Sequence, residues 1–398
     1  MAVLPATEST TVPLSSRPTE YSGRPIGPLR LARAMRINIA AGCCIMAALA
    51  VLWPTAAITA VFLSEQLGAS KTLIGLNLTL CTFGTVVALP GAWLFSRLQR
   101  RKVTWIVLTT AARVLLFAPA FVALFAARTE WHFVLVWVVI LSMFLVNTGG
   151  VFTSPGWWSW MADLIPESML GSFFGRRWRW LLLSQSLASL VAGFLLDVPE
   201  TDGGLRLTYF AIFLVSGLLV VIDPLLFSFV PEPARPRPPT RTLGEVAREY
   251  IEPFRDRAFR MLLLGAGAFG FCYFLPNLFF PLFLRGEQVG GHWIGGQAPV
   301  WLLVFVTVVF AVAQGVAADA WGQLADRIGH RIVWILGSLA YGTCIAYFFI
   351  NQSNYAVIAI AHAVVFGVLY AGQPVAVQNM ALSMAPAHRR EFYLSVFQ

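Results

Sequence analysis

Four ionisable side chains sit within stretches otherwise suited to hydrocarbon: Arg113, Asp223, Asp319 and His362. A charge inside a bilayer is costly, so each is a functional candidate until a structural partner accounts for it. The chemistry open to them is electrostatic and protonic. Arg113 can hold a solute or couple its movement to an ion, or it can pair within the fold or snorkel. Asp223 lies at a similar depth and permits an ion pair with Arg113. Asp319 precedes Asp326 by seven residues, two helical turns, and shares its face; it can extend a charge network there or take up a proton. His362 is the only histidine well inside an apolar run. It can titrate near neutrality or serve as a hydrogen-bonded structural residue.

Covalent chemistry finds no support. There is no Ser/His/Asp or zinc-ligand spacing and no Walker-type phosphate loop. The five cysteines, Cys43, Cys44, Cys81, Cys272 and Cys344, show no CxxC or Cys/His pattern and read as small apolar packing residues. No enzyme, metal site or cofactor is expected.

The elements that must position these residues are membrane helices. The chain is 58% hydrophobic and 12% charged, with mean hydropathy +0.72, against roughly 45–50% and 25% in soluble domains. Apolar runs of about 20 residues, long enough to cross about 30 Å as helix, fall near 37–63, 71–95, 103–127, 131–152, 178–198, 207–230, 259–284, 298–320, 332–350 and 355–378. The spacing predicts an all-α polytopic membrane protein with ten complete spans and the opening of an eleventh at 389–398. With the N-terminus in the cytoplasm, 23 of the 28 Lys and Arg fall on the cytoplasmic side. Four fall on the other, Lys71, Arg128, Arg206 and Arg285, and Arg113 lies within a span. That asymmetry fixes the orientation in an inner (plasma) membrane, and it explains the charge of +9 better than nucleic-acid binding does. Residues 1–35, rich in Pro, Ser, Thr and Arg, read as a disordered cytoplasmic tail.

Residues 231–258 form the one long polar interval. A proline-rich start denies helix continuation and is followed by an amphipathic segment through Arg248, Glu249, Glu252 and Arg255. This linker separates a six-span half at 36–230 from a second half at 259–398. A repeat supports the division. The hinge Gly322-Gln323-Leu324-Ala325-Asp326-Arg327-Ile328-Gly329-His330-Arg331 has a weaker copy, Ser96-Arg97-Leu98-Gln99-Arg100-Arg101-Lys102, 230 residues earlier (326 − 96). Met161-Ala162 with Pro166 is echoed by Met380-Ala381 with Pro386. The second half stops at Gln398, where the eleventh span opens, so a C-terminally truncated product is expected.

Six spans, a basic linker and a Gly-x-x-x-Asp-Arg-x-Gly-x-Arg hinge between spans eight and nine together resemble the major facilitator superfamily of secondary transporters. The resemblance implies two six-helix halves that rock about a central pocket. It makes Gly322, Asp326, Arg327, Gly329 and Arg331, with Arg97 and Arg101 in the weaker copy, a conformational latch. Asp326 is expected to meet the start of the fifth span, near Ser172 to Arg177, where a helix N-terminus attracts a carboxylate. In the first half Ser96 stands where the acid belongs. The resemblance places the pocket between the halves, walled by spans 1, 2, 4, 5, 7, 8, 10 and 11. The polar residues on those spans are Asn147, Gln185, Asn277, Gln314, Tyr370 and Gln373, each a candidate solute contact or helix–helix hydrogen bond. Arg113, Asp319 and His362 complete the candidates. Trp157, Trp158 and Trp160 read as interfacial anchors.

The expected function is secondary transport of a small organic solute by alternating access, with proton coupling open. The expected partners are that solute and the bilayer, in a monomer without nucleic acid. The alternative is a non-transporting assembly or carrier factor built on the same fold. Spans 1, 4, 7 and 10 lack the carboxylate that proton-driven relatives generally carry, and this favours it.

Overall fold

The computed structural model describes residues 19–21, 23–234, 243–289, 292–384, 393 and 396–397. Residues 1–18 of the expected tail, 235–242 of the linker and nearly all of the expected eleventh span lie outside the described residues.

The chain is helical throughout its apolar runs. Helix α1 (Pro28–Leu52) continues through Trp53 and Pro54 into the short α2 (Ala57–Val61) and a π turn at Phe62–Gln66. The second span is α3 (Lys71–Phe83) followed by α4 (Ala88–Arg97), and the third is α5 (Lys102–Arg113) followed by α6 (Ala118–Phe125). Then come α7 (His132–Leu164), α8 (Glu167–Leu196) and α9 (Asp202–Leu226). The amphipathic α10 (Leu243–Arg255) precedes α11 (Arg257–Arg285). Beyond it lie α12 (Val300–Ile328), α13 (His330–Ser338), α14 (Tyr355–Tyr370) and α15 (Gly372–Met384). Among the described residues eight helical stretches are long and apolar enough to cross a bilayer, and α8 adds a shorter apolar run at Trp180–Leu196. Large apolar side chains such as Phe133, Phe271, Val316 and Phe348 face outward, as lipid contact requires.

Local sequence sets the helix ends. Ser70 and Thr201 cap α3 and α9 by accepting from Leu73 N and Gly204 N, and Asp256 caps α11 by accepting from Ala258 N and Phe259 N. Gly329, at φ +91°, ends α12 in a conformation that L side chains rarely adopt. Short 3-10 turns at Gly84–Val87 and Val114–Phe117 tighten the second and third spans midway, the latter directly after Arg113. The chain is not wholly helical: α11 and α12 are joined by an antiparallel hairpin, β1 (Glu287–Val289) and β2 (His292–Ile294).

The N-terminal boundary differs from expectation. Helix α1 starts at Pro28 rather than near 36, because proline at the first helical position has its φ preset and needs no N–H partner. Ahead of it Thr19 bridges to Pro25 and Glu20 to Pro233, and Ala234 N donates to Thr19 O at 2.6 Å. Residues 19–27 are thus held against the end of the sixth span.

The two ends of the molecule pack differently. At the end opposite the hinges, called here the far end, one hydrophobic cluster draws on both parts of the chain: Leu52, Phe62 and Leu196 join Leu284, Leu303 and Ile350. At the hinge end the clusters among the described residues are separate. One holds Phe95, Trp105, Trp160 and Phe227; others hold Phe259, Leu262 and Ala381, and Ala325, Val333 and Ala376.

Candidate functional site

Helices α8 and α12 meet at the far end, where a Cβ on Gly193 would lie 3.1 Å from the Cα of Trp301. That close approach lets Phe194 stack on Trp301 with centroids 5.7 Å apart. Asp197 then accepts from Val300 N at 3.1 Å and Trp301 N at 2.7 Å, a carboxylate on the positive end of α12. Arg285 donates to both oxygens of Glu65, each at 2.7 Å, and to Ala298 O at 3.1 Å. Lys71 pairs with Glu287. Among the described residues, the hydrogen bonds and ion pairs between the chain before and after the linker all lie at this end.

At the hinge end the first hinge is wired into its own half. Arg101, with no exposed side-chain surface, donates to Ser159 Oγ at 2.8 Å and Asp163 Oδ2 at 2.6 Å. Glu232 accepts from the backbone N–H of Arg101 and, at 3.1 Å, of Lys102. The Lys102 ammonium donates to Ser228 O and Val230 O at 2.6 and 2.8 Å. Arg97 lies over the Trp93 ring at 4.1 Å and Arg100 over Tyr21 at 5.2 Å. In this state Asp163, on the neighbouring α7, draws the Arg101 guanidinium inward. In the second hinge Arg327 and Arg331 are exposed.

Inside the membrane region Arg113 does pair with Asp223, and it also donates to Val220 O at 3.3 Å. Asp223 is 5% exposed and Arg113 14%, so the pair is withdrawn from lipid. Beside it Arg177 Nε donates to Asn38 Oδ1 at 2.8 Å, and its guanidinium lies 4.9 Å over the Trp157 ring. Asn38, Arg113 and Arg177 each lie roughly ten residues, about 15 Å, into their helices. Two adjoining cavities flank Arg113. The first, of about 160 Å³, is lined by Trp105, Thr153, Trp157, Arg177, Asp223 and Phe227. The second, of about 240 Å³, is lined by Leu49, Leu52, Trp53, Leu116, Met143 and Asn147. Both share Ile45, Arg113, Gly150 and Ser154.

The remaining candidates are dispersed. Asn147 Nδ2 donates to Cys81 O at 2.6 Å, tying the fourth span to the second. Gln185 and Gln314 are half-buried on α8 and α12, and Gln373 is buried on α15. Tyr370 belongs to an aromatic wall, stacked on Tyr273 at 4.9 Å with Phe366 and Phe310 nearby. His362 is buried among Phe280, Tyr347 and Phe366, with Nε2 lacking a hydrogen-bond partner. The side chains of Asn277, Asp319 and Asp326 lie outside the described residues.

The sequence reading missed the far-end contacts and the part played by Asn38 and Arg177. A signal for the first was present. Glu65 and Arg285 are 220 residues apart, the separation of Pro166 and Pro386 in the repeat, and they carry opposite charge at equivalent span ends.

Helical bundles before and after a linker, clamped at one end and enclosing buried charges beside cavities, define a polytopic membrane transporter rather than an enzyme. The chain belongs to the Major Facilitator Superfamily, whose model matches residues 39–398, and is an integral multi-pass secondary transporter. Solved structures share the fold. A point mutant of the nucleoside transporter NupG matches with TM-score 0.66 at 13% identity, over 92% of this chain and 86% of that one. The xylose transporter XylE from E. coli, partially occluded and inward open, gives 0.64 at 12% over 93% and 88%. An inward-facing, unoccupied bacterial homologue of the human lysosomal transporter Spinster gives 0.65 at 17% over 93% and 79%. No curated protein matched the chain in sequence.

Proposed function

We propose that the protein carries a small organic solute by alternating access, its halves at 36–230 and 259–398 rocking about a pocket between them, and that the state described here is shut at the far end. One observation carries this reading: the far end has a shared core, two ion pairs and a capped helix joining the halves, whereas the hinge-end clusters are separate. With the N-terminus in the cytoplasm, as the basic-residue asymmetry favours, this is an inward-open monomer in the inner membrane. The latch residues Gly322, Asp326, Arg327, Gly329 and Arg331 then act in the opposite state.

The test is to join the far end covalently. Glu65→Cys and Arg285→Cys together, bridged by a short bismaleimide, are expected to lower uptake into vesicles at least tenfold for whichever of a panel of nucleosides, pentoses and organic acids the parent protein carries. Cross-linked protein that transports at the uncross-linked rate would sink alternating access through this gate.

A further inference from the structure

The first cavity is lined by more positive than negative charge. Of the charged side chains lining the first cavity, Arg113 and Arg177 are cationic and Asp223 alone is anionic. Asp223 is engaged by Arg113. The contacts of Arg177 are neutral, the Asn38 amide oxygen and the Trp157 ring; the Asp223 charge acts on it through space, but no carboxylate of the described residues is within ion-pair distance of it. Buried charges are ordinarily paired, and a guanidinium presents five donors in a fork that matches a carboxylate. Arg177 uses only Nε, which leaves its two terminal nitrogens for a ligand.

The second cavity supplies the complement. Its walls of Leu49, Leu52, Trp53, Leu116, Met143 and Val146 are apolar, the Asn147 amide beside them is turned to Cys81 O, and it opens onto the first where Ile45, Arg113, Gly150 and Ser154 line both. Together the two cavities fall in the roughly 300–1,000 Å³ range of small-molecule sites. A charged chamber and an apolar chamber joined end to end fit a molecule built the same way. A cation would meet two guanidinium groups, and a sugar would leave Arg177 unneutralised and the apolar chamber unfilled.

We propose that these chambers bind an amphiphilic organic monoanion, its carboxylate held by Arg177 with Arg113 beside it and its apolar part lying past Gly150 among Leu116, Met143 and Trp53. The step from ligand to transported solute rests on the transport reading above; the binding does not.

Octanoate is the probe, measured by equilibrium binding of the radiolabelled compound to the purified full chain in nanodiscs. Octanoate should bind saturably, butyrate should compete at least tenfold more weakly, and octanamide and octylamine should not compete. Arg177→Gln should lower octanoate affinity at least tenfold. A Cβ built on Gly150 meets nothing within 4 Å, so Gly150→Leu should fold, fill the junction and lower octanoate affinity at least fivefold while leaving butyrate within twofold of the parent. If Arg177→Gln does not fold, the Gly150→Leu comparison decides alone. Equal competition by octylamine or octanamide, or parental binding by either variant, overturns the proposal. Octanoate binding without any vesicle uptake would support this site and remove the transport reading, whereas uptake of other solutes with no octanoate binding would do the reverse.

Discussion

The hinges at 96–102 and 322–331 stand at equivalent places in the repeat, but their surroundings differ. The first has Ser96 where the second has Asp326. The first hinge draws on an acid from elsewhere: Glu232, just past the sixth span, caps the start of α5, while Lys102 is drawn onto the carbonyls of Ser228 and Val230 and Arg101 onto Asp163. The second hinge keeps its glycine turn, with Arg327 and Arg331 exposed. The contrast teaches that loss of a motif residue need not mean loss of order. Arg101 and Lys102 are taken up within the first half, whereas Arg97 and Arg100 are exposed like Arg327 and Arg331, so the first hinge is anchored through its last two cations.

Three substitutions probe that contrast, from the largest expected effect to the smallest. Arg101→Ala leaves Asp163 and Ser159 without their partner and opens space beneath the first hinge. It should lower unfolding stability by about 2–3 kcal/mol, seen as a depressed denaturation midpoint; a change under about 0.5 kcal/mol would show that the first hinge is no more anchored than the second. Gly329→Ala tests the turn in the second hinge. At φ +91° a methyl group is strained by about 1–3 kcal/mol, yet it meets no neighbour within 4 Å, so the loss should come from backbone conformation alone and should be matched by larger side chains at the same site. Asp326→Asn should raise hinge-side labelling of Cys43 and Cys44 by a membrane-impermeant maleimide about twofold, a shift of roughly 0.4 kcal/mol in the balance of states. Unchanged labelling would end its role as a latch.

Much of the fold was legible because hydrocarbon imposes a simple code. The runs expected at 71–95, 207–230 and 332–350 reappear as helical spans at Lys71–Phe95, Asp202–Phe229 and His330–Phe349, since every backbone group in a bilayer must be satisfied internally. Helix α1 runs back to Pro28, ahead of the apolar run, because Arg30, Arg33 and Arg36 lower the hydropathy there without breaking the helix: hydropathy marks where the membrane begins, not where a helix does. Among site residues, the similar depth of Arg113 and Asp223 permitted an ion pair without requiring one, since snorkelling and a solute contact were open to Arg113 as well. Arg177 escaped because it lies in a basic, interface-like stretch with Arg176 and Arg179, and only three-dimensional packing shows that it turns inward. The destiny of Arg101 was hidden for a related reason, as Asp163 lies 62 residues away in sequence.

The Glu65–Arg285 contact has a consequence for biogenesis. Its partners are separated by 220 residues, and the chain is inserted from its N-terminus, so the first half must enter the membrane with Glu65 unmatched until the seventh span arrives. Far-end closure through this contact is therefore a late event that needs the second half.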